Sequence, residues 1–122
     1  MQRAVQRDRR DAVAAAQAAT LALESLNATR ALAGLAPLDH GIGLHFGAAE
    51  YGNIGAPGRV DFTVIGRAVN LASRVEGLCG KLGQRLLASD EVAQRVPAVA
   101  WRSQGEFELK GIAGRHTVFA LR

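Results

Sequence analysis

The sequence predicts an α+β domain in which helices pack on a mixed β-sheet. Apolar residues recur at three- and four-residue steps in some segments and at two-residue steps in others, and glycines and prolines separate these segments. The chain has 122 residues, of which 48% are apolar and 21% are charged. This composition is sufficient for a hydrophobic core and argues against a disordered chain.

The first predicted element is a long amphipathic helix from about Arg7 to Ala33, a segment with almost no helix-disfavouring residues. Gly34 and Pro37 provide the signal that ends it. Its narrow apolar face consists of Val13, Ala16, Thr20, Leu23 and Leu26.

Two strands are predicted next, because the apolar period changes to two. In the first, from Gly41 to Gly47, we expect the apolar side chains to face the helix. The glycine-rich run from Gly47 to Gly58 predicts a hairpin or tight loop. A second strand follows and ends at Gly66. The apolar residues of the two strands are Ile42, Leu44 and Phe46 in the first and Val60, Phe62 and Val64 in the second.

The second half of the chain predicts two more helices and three more strands. We expect Gly77 and Gly80 to close the first of these helices and Ser89 to cap the second. The predicted elements are a helix over Arg67–Leu78, a strand over Gln84–Ala88, a short helix ending at Val96, and two antiparallel strands, Trp101–Lys110 and His116–Leu121, joined through Gly111–Gly114.

Several functional classes are disfavoured by composition and spacing. Cys79 is the single cysteine, so no internal disulfide can form and a reducing, cytoplasmic setting is expected, although the parent protein could be membrane-anchored. No apolar run is long enough to span a bilayer. The three histidines lie far apart without metal-ligand spacing, and we interpret each as structural or solvated. The glycines lack the pattern of a phosphate-binding loop or a dinucleotide-binding turn.

Binding to nucleic acid is a weak alternative. The net charge of +4 rests on thirteen Arg and two Lys that are scattered along the chain rather than clustered. Only four Phe, one Tyr and one Trp are available for stacking on bases, and most occupy alternating core positions. We therefore expect no nucleic-acid partner.

Four polar residues form the candidate site: Thr63, Asn70, Arg74 and Lys110. Asn70 and Arg74 are four positions apart on a predicted helix, so they project from one face. A carboxamide and a planar guanidinium presented together suit a sugar oxygen and a phosphate. Thr63 lies on the strand that leads into this helix, and Lys110 ends a later strand. On spacing alone, a solvated helix face is the simpler interpretation of the pair.

Four runs of the sequence resemble the catalytic domain of class III nucleotidyl cyclases. They are GIGLHFG at 41–47, GNIG at 52–55, RVDFTVIGRAVNLASRVE at 59–76 and LKGI at 109–112. The resemblance extends from about residue 12 to the end of the chain. It implies a ferredoxin-like α+β fold that works as a head-to-tail dimer, with a nucleoside triphosphate bound between the subunits.

The resemblance also implies roles for the four residues. The reaction is attack of the ribose 3′-hydroxyl on the α-phosphate, which forms a 3′,5′-cyclic nucleotide and releases pyrophosphate. Arg74 would stabilise the transition-state phosphoryl group, Asn70 would orient the ribose, and Lys110 would hold the terminal phosphates. Thr63 occupies the base-reading position and implies ATP rather than GTP as substrate. Arg67 departs from the acidic or amide residue that often follows Gly66 in this family.

The beginning of the chain departs most from the family. Cyclases hold two metal ions, Mg²⁺ or Mn²⁺, through two aspartates on elements that precede the long helix, and this sequence has neither at a matching position. Residues 1–122 are therefore expected to be one partial domain, the C-terminal two-thirds of an adenylate cyclase domain that is inactive alone. The expected partner is a second copy or a complementary cyclase subunit. The alternative is a catalytically inactive, cyclase-like dimerisation or regulatory module.

Overall fold

The computed structural model describes residues 2–47, 50–53 and 62–121. Four helices and six strands occur in these ranges. In chain order they are α1 (Gln2–Leu32), β1 (Ile42–Leu44), β2 (Glu50–Asn53), β3 (Phe62–Ile65), α2 (Arg67–Gly77), α3 (Cys79–Leu82), β4 (Leu86–Ser89), α4 (Asp90–Arg95), β5 (Trp101–Leu109) and β6 (Ile112–Leu121).

The main sheet has four strands in the order β1-β4-β6-β5. β1 runs parallel to β4, whereas β6 is antiparallel to both β4 and β5. The sheet is therefore mixed, as the sequence predicts. A separate antiparallel pair joins β2 to β3, and in it Thr63 lies opposite Gly52. The strand β2 falls inside the segment predicted as a hairpin or loop.

Two clusters of apolar side chains form the core. The larger lies between α2 and the sheet, and the smaller brings α1 and α4 together, where Leu44 and Phe46 pack as expected. The larger cluster contains Leu71, Val75, Leu78, Cys79, Leu87, Leu109, Val118 and Ala120. The smaller contains Val13, Ala88, Val92 and Val96.

Only the first part of the predicted α1 face is buried. Val13 and Ala16 are buried, whereas Leu26 is 46% exposed. Leu21 and Leu32 are also exposed. No helix among the described residues is both long enough and apolar enough to cross a membrane.

The predicted glycine stop after α2 is only partly correct. Gly77 ends α2, but Gly80 lies inside the short helix α3, and Leu78 between the two helices keeps a right-handed helical conformation. The chain leaves the helical conformation at Gly83, which has a φ of 64°. Packing of Leu82 against the core accounts for the extra turn.

The predicted turn between the last two strands is too long. Leu109 pairs with Ile112, so the turn consists of Lys110 and Gly111, whose φ is 79°. Gly114, with a φ of 87°, lies within β6 at a shift in register rather than in the turn. A bulge thus accommodates the glycine that was expected to help close the hairpin.

Strand β1 brings α2 unusually close to the sheet. A Cβ atom on Gly43 would lie 2.5 Å from the backbone nitrogen of Glu76 and 2.6 Å from the carbonyl oxygen of Ala72. At Gly41 it would meet the carboxylate of Glu76 at 2.7 Å. The backbone of α2 therefore rests directly on the glycine face of β1, and the side chains that α2 presents take their position from this contact.

The contact predicts that Gly43→Ala destabilises the fold. The added methyl group meets backbone atoms that cannot move aside, so we expect the free energy of unfolding to fall by about 1–3 kcal/mol in urea titrations. Gly77→Ala is the matched control, because a Cβ there meets nothing within 4 Å. It should leave stability unchanged or raise it by up to about 1 kcal/mol. Equal stability of the Gly43→Ala variant and the wild-type protein would contradict this account.

Candidate functional site

Helix α2 presents the two central site residues on its solvent-facing side. Asn70 and Arg74 are both exposed, and they lie one helical turn apart beside the buried row formed by Leu71 and Val75. Neither the Asn70 carboxamide nor the Arg74 guanidinium hydrogen-bonds or pairs with any other described residue. The structure therefore brings this pair together and leaves both groups available to a ligand.

The start of α2 is fixed by Gly66. This residue has a φ of 135°, a conformation that L side chains rarely adopt, and it ends β3 as the sequence predicts. The backbone nitrogen of Asn70 donates to the Gly66 carbonyl oxygen at 3.2 Å. Gly66 has no side chain to cap the N–H groups of the first turn of α2.

Lys110 lies in a turn next to a residue that packs beneath α2. It is exposed in the turn between β5 and β6, and the preceding residue, Leu109, is 5% exposed in the core cluster that also contains Leu71. The turn is thus anchored beneath α2. Lys110 itself borders a surface depression of about 430 Å³ with Glu108 and Arg115, not with Arg74.

Thr63 lies on β3, the strand that continues through Gly66 into α2. The backbone places it immediately before the helix that carries Asn70, but its side chain lies outside the described part of the structure. The depression that Lys110 borders is lined by neither Asn70 nor Arg74.

The side chain of His45, the residue that follows β1, is buried by contacts that the sequence does not indicate. The His45 side chain is only 7% exposed, and its Nδ1 lies 2.8 Å from the Ser89 hydroxyl and 3.7 Å from the Glu91 carboxylate. Ser89 precedes α4 as predicted, but its side chain makes no cap bond because the hydroxyl faces His45. The alternation of β1 places His45 on the face opposite Leu44, but the sequence alone leaves it either structural or solvated.

Electrostatics around His45 favour the uncharged ring. Burial lowers the pKa of His45 below its ordinary value of 6.5, and the nearby Glu91 carboxylate opposes this shift. The charges of Arg67, His116 and Arg95 lower the pKa further. At neutral pH the His45 imidazole is therefore neutral.

Two further kinds of reactive group are the cysteine thiol and the side chains that can bind a metal ion. Burial raises the pKa of the Cys79 thiol, which points toward the Ile42 carbonyl oxygen at 3.7 Å. This is the environment of an unreactive cysteine. Within residues 2–47, 50–53 and 62–121, no three His, Cys, Asp or Glu side chains lie close enough together to hold a metal ion.

Comparison with solved structures identifies the fold. The chain superposes on the adenylyl cyclase CyaB from P. aeruginosa with a TM-score of 0.57 and 31% identity, over 66% of this chain and 40% of that one. It superposes on the guanylyl cyclase Cya2 with a TM-score of 0.65 and 26% identity, over 83% of this chain and 51% of that one. The mixed sheet and its helices are those of a class III cyclase domain.

Sequence comparison gives the same result. An adenylate cyclase of Anabaena cylindrica is 39% identical over 79 residues, which are 62% of this chain and 16% of that protein. Adenylate cyclase 1 of Rhizobium meliloti (strain 1021) is 38% identical over 90 residues, 73% of this chain and 14% of that protein. The chain thus spans a small part of these relatives. The profile of the adenylate and guanylate cyclase catalytic domain matches residues 3–122, and the chain belongs to that family.

Proposed function

We propose that this chain is the C-terminal part of an adenylate cyclase domain and supplies the ribose- and phosphate-contacting half of the active site. The observation that carries the proposal is the position of Asn70 and Arg74 on the exposed side of α2, where neither side chain bonds to another described residue. Family membership supports nucleotide cyclisation, and the two adenylate cyclases among the relatives support ATP.

Each residue has a distinct physical task in this proposal. Asn70 donates and accepts hydrogen bonds at the ribose, which orients the 3′-hydroxyl towards the α-phosphate. Arg74 places positive charge where negative charge develops on the phosphoryl group as pyrophosphate departs. Lys110 adds a point charge for the terminal phosphates. Thr63 offers a hydroxyl to the base.

The site requires a second subunit. Asn70 and Arg74 lie on an open helix face, and Lys110 lies on a separate turn, so one chain does not enclose a nucleotide among its described residues. A second copy or a complementary cyclase subunit would close the site and exclude water. Mg²⁺ or Mn²⁺, which the family uses to neutralise the triphosphate, would be held by aspartates of the second subunit.

Complementation tests the proposal directly. The chain is mixed with a metal-competent cyclase subunit whose own equivalents of Asn70 and Arg74 have been replaced by alanine, and cyclic AMP is measured. We expect activity only in the mixture, because each component lacks half of the site. Sedimentation establishes whether the two chains associate. A stable complex without cyclic AMP would instead identify an inactive dimerisation module and overturn the proposal.

Replacing the two α2 residues should reduce turnover without unfolding the chain. In the complemented assay, Arg74→Ala should lower kcat by about a thousandfold, because an arginine that stabilises the transition-state charge contributes at about this level. Asn70→Ala should lower kcat by about a hundredfold through misorientation of the ribose. The matched control is Arg102→Ala, an exposed arginine on β5, which should retain wild-type kcat. Equal activity of the Arg74→Ala and Arg102→Ala variants would refute the assignment.

The base preference should depend on one hydroxyl. Thr63→Val keeps the shape of the side chain and removes its hydrogen bond, so kcat/KM for ATP should fall by about 3- to 10-fold. The ratio of kcat/KM for ATP to that for GTP should fall with it, measured by product formation from each nucleotide. Thr117→Val, a half-buried threonine of β6, serves as the control for loss of a threonine hydroxyl. An unchanged ratio would show that Thr63 does not read the base.

A further inference from the structure

His45 lies between the starts of two helices. On one side of the ring, Nδ1 is within hydrogen-bond distance of Ser89, the residue that precedes α4, and the Glu91 carboxylate is 3.7 Å away. This side ties the end of β1 to the first turn of α4. Because the side chain is only 7% exposed, the ring also fills space that would otherwise be a cavity.

The other side of the ring faces the start of α2. A Cβ atom on Gly47 would lie 2.9 Å from His45 Nε2 and 3.0 Å from the Ala68 Cβ atom. The Gly47 backbone therefore lies close to both the imidazole and the first turn of α2, and these groups border a cavity of about 300 Å³. Ala68 is two positions before Asn70 on the same helix. The contact between the ring and α2 is therefore made through Gly47.

Charged and titratable groups surround the ring, so its protonation would change the forces that act on it. Glu91 and Arg95 face it from α4, Arg67 from α2 and His116 from β6. Protonation would place a positive charge beside Arg67 and near the positive end of the α2 dipole. It would also draw the ring towards Glu91. Both effects act to separate the ring from α2.

We propose that His45 is a positioning residue for the cyclase reaction, whose uncharged ring holds the first turn of α2, and with it Asn70, in register with β1 and α4. The part of this proposal that concerns activity rests on the function proposed above. The part that concerns the position of α2 does not, because it follows from contacts within this chain.

The structural part is tested by NMR titration of the chain between about pH 8 and about pH 5, the range in which histidines titrate. The ring signals of His45 and the backbone amides of Ala68 and Asn70 are followed. We expect the two amides to shift with the His45 midpoint, and this midpoint to lie below 6.5, because burial lowers the pKa of His45. Amides that do not follow the His45 midpoint would overturn the proposal.

Three variants make this measurement specific. His45→Gln retains a polar side chain of similar length but cannot be protonated, so the amide shifts at Ala68 and Asn70 should disappear. His116→Gln removes a histidine that borders the same cavity, and the shifts should remain. Glu91→Gln removes the charge that raises the pKa, so the midpoint should move to lower pH. Shifts that survive in His45→Gln would show that another group drives them.

The kinetic part uses the complemented cyclase. His45→Gln should lower kcat by about 10- to 100-fold, the range expected for a displacement of about 1 Å at a positioned group, with a smaller change in KM. The loss of activity that wild-type protein shows on acidification should be reduced in this variant, whereas His116→Gln should behave as wild type. A uniform loss of folded protein, seen by circular dichroism, would make the role merely structural and overturn the proposal.

The two parts can fail separately. If no cyclic AMP forms in any mixture, the proposed function fails while the titration still reports whether His45 holds α2. If the wild-type mixture is active and His45→Gln matches it in kcat and pH profile, the positioning role is wrong and the proposed function stands.

Discussion

The close contact between the backbone of α2 and the glycine face of β1 is the constraint on which the rest of the structure depends. At Gly43 no side chain separates strand from helix, and the nearest helix atoms belong to the peptide groups of Ala72 and Glu76. Peptide groups cannot change rotamer to relieve a clash, so the distance between the two elements is fixed. The same helix buries Leu71 and Val75 and exposes the row that contains Asn70 and Arg74. Helix α2 therefore both packs in the core and presents the candidate ligand-binding side chains.

The sequence carries much of this information because the relevant patterns are local. The step from a two-residue to a three- and four-residue period at Gly66 locates both β3 and α2, and the four-residue interval between Asn70 and Arg74 suffices to place them on one face. The resemblance to cyclases gave the family, which the comparisons confirm. The roles of Thr63, Asn70, Arg74 and Lys110 remain predictions.

Other features could not be predicted because they depend on tertiary contacts. A glycine such as Gly80 is typical of a helix end, yet the burial of Leu82 extends the helical segment to Gly83. Ser89 has the position of a cap, but its hydroxyl faces His45, which is distant in sequence. The contacts of His45 could not be predicted for the same reason, since alternation along β1 indicates only which face it occupies. Its partners Ser89 and Glu91 are more than forty positions away, so the burial of its ring depends on tertiary contacts.

The position of Trp101 gives the molecule a built-in optical reporter. Its indole Nε1 donates to the Val96 carbonyl oxygen at 2.9 Å, and its ring packs on the cluster that joins α1 to α4. It is the single tryptophan in the sequence. Separation of α1 from this cluster would remove Val13 and expose the indole to water, which changes its fluorescence. A change confined to the cluster beneath α2 does not involve a residue that packs on the indole. The intrinsic fluorescence of Trp101 thus reports on one of the two core clusters and not on the other.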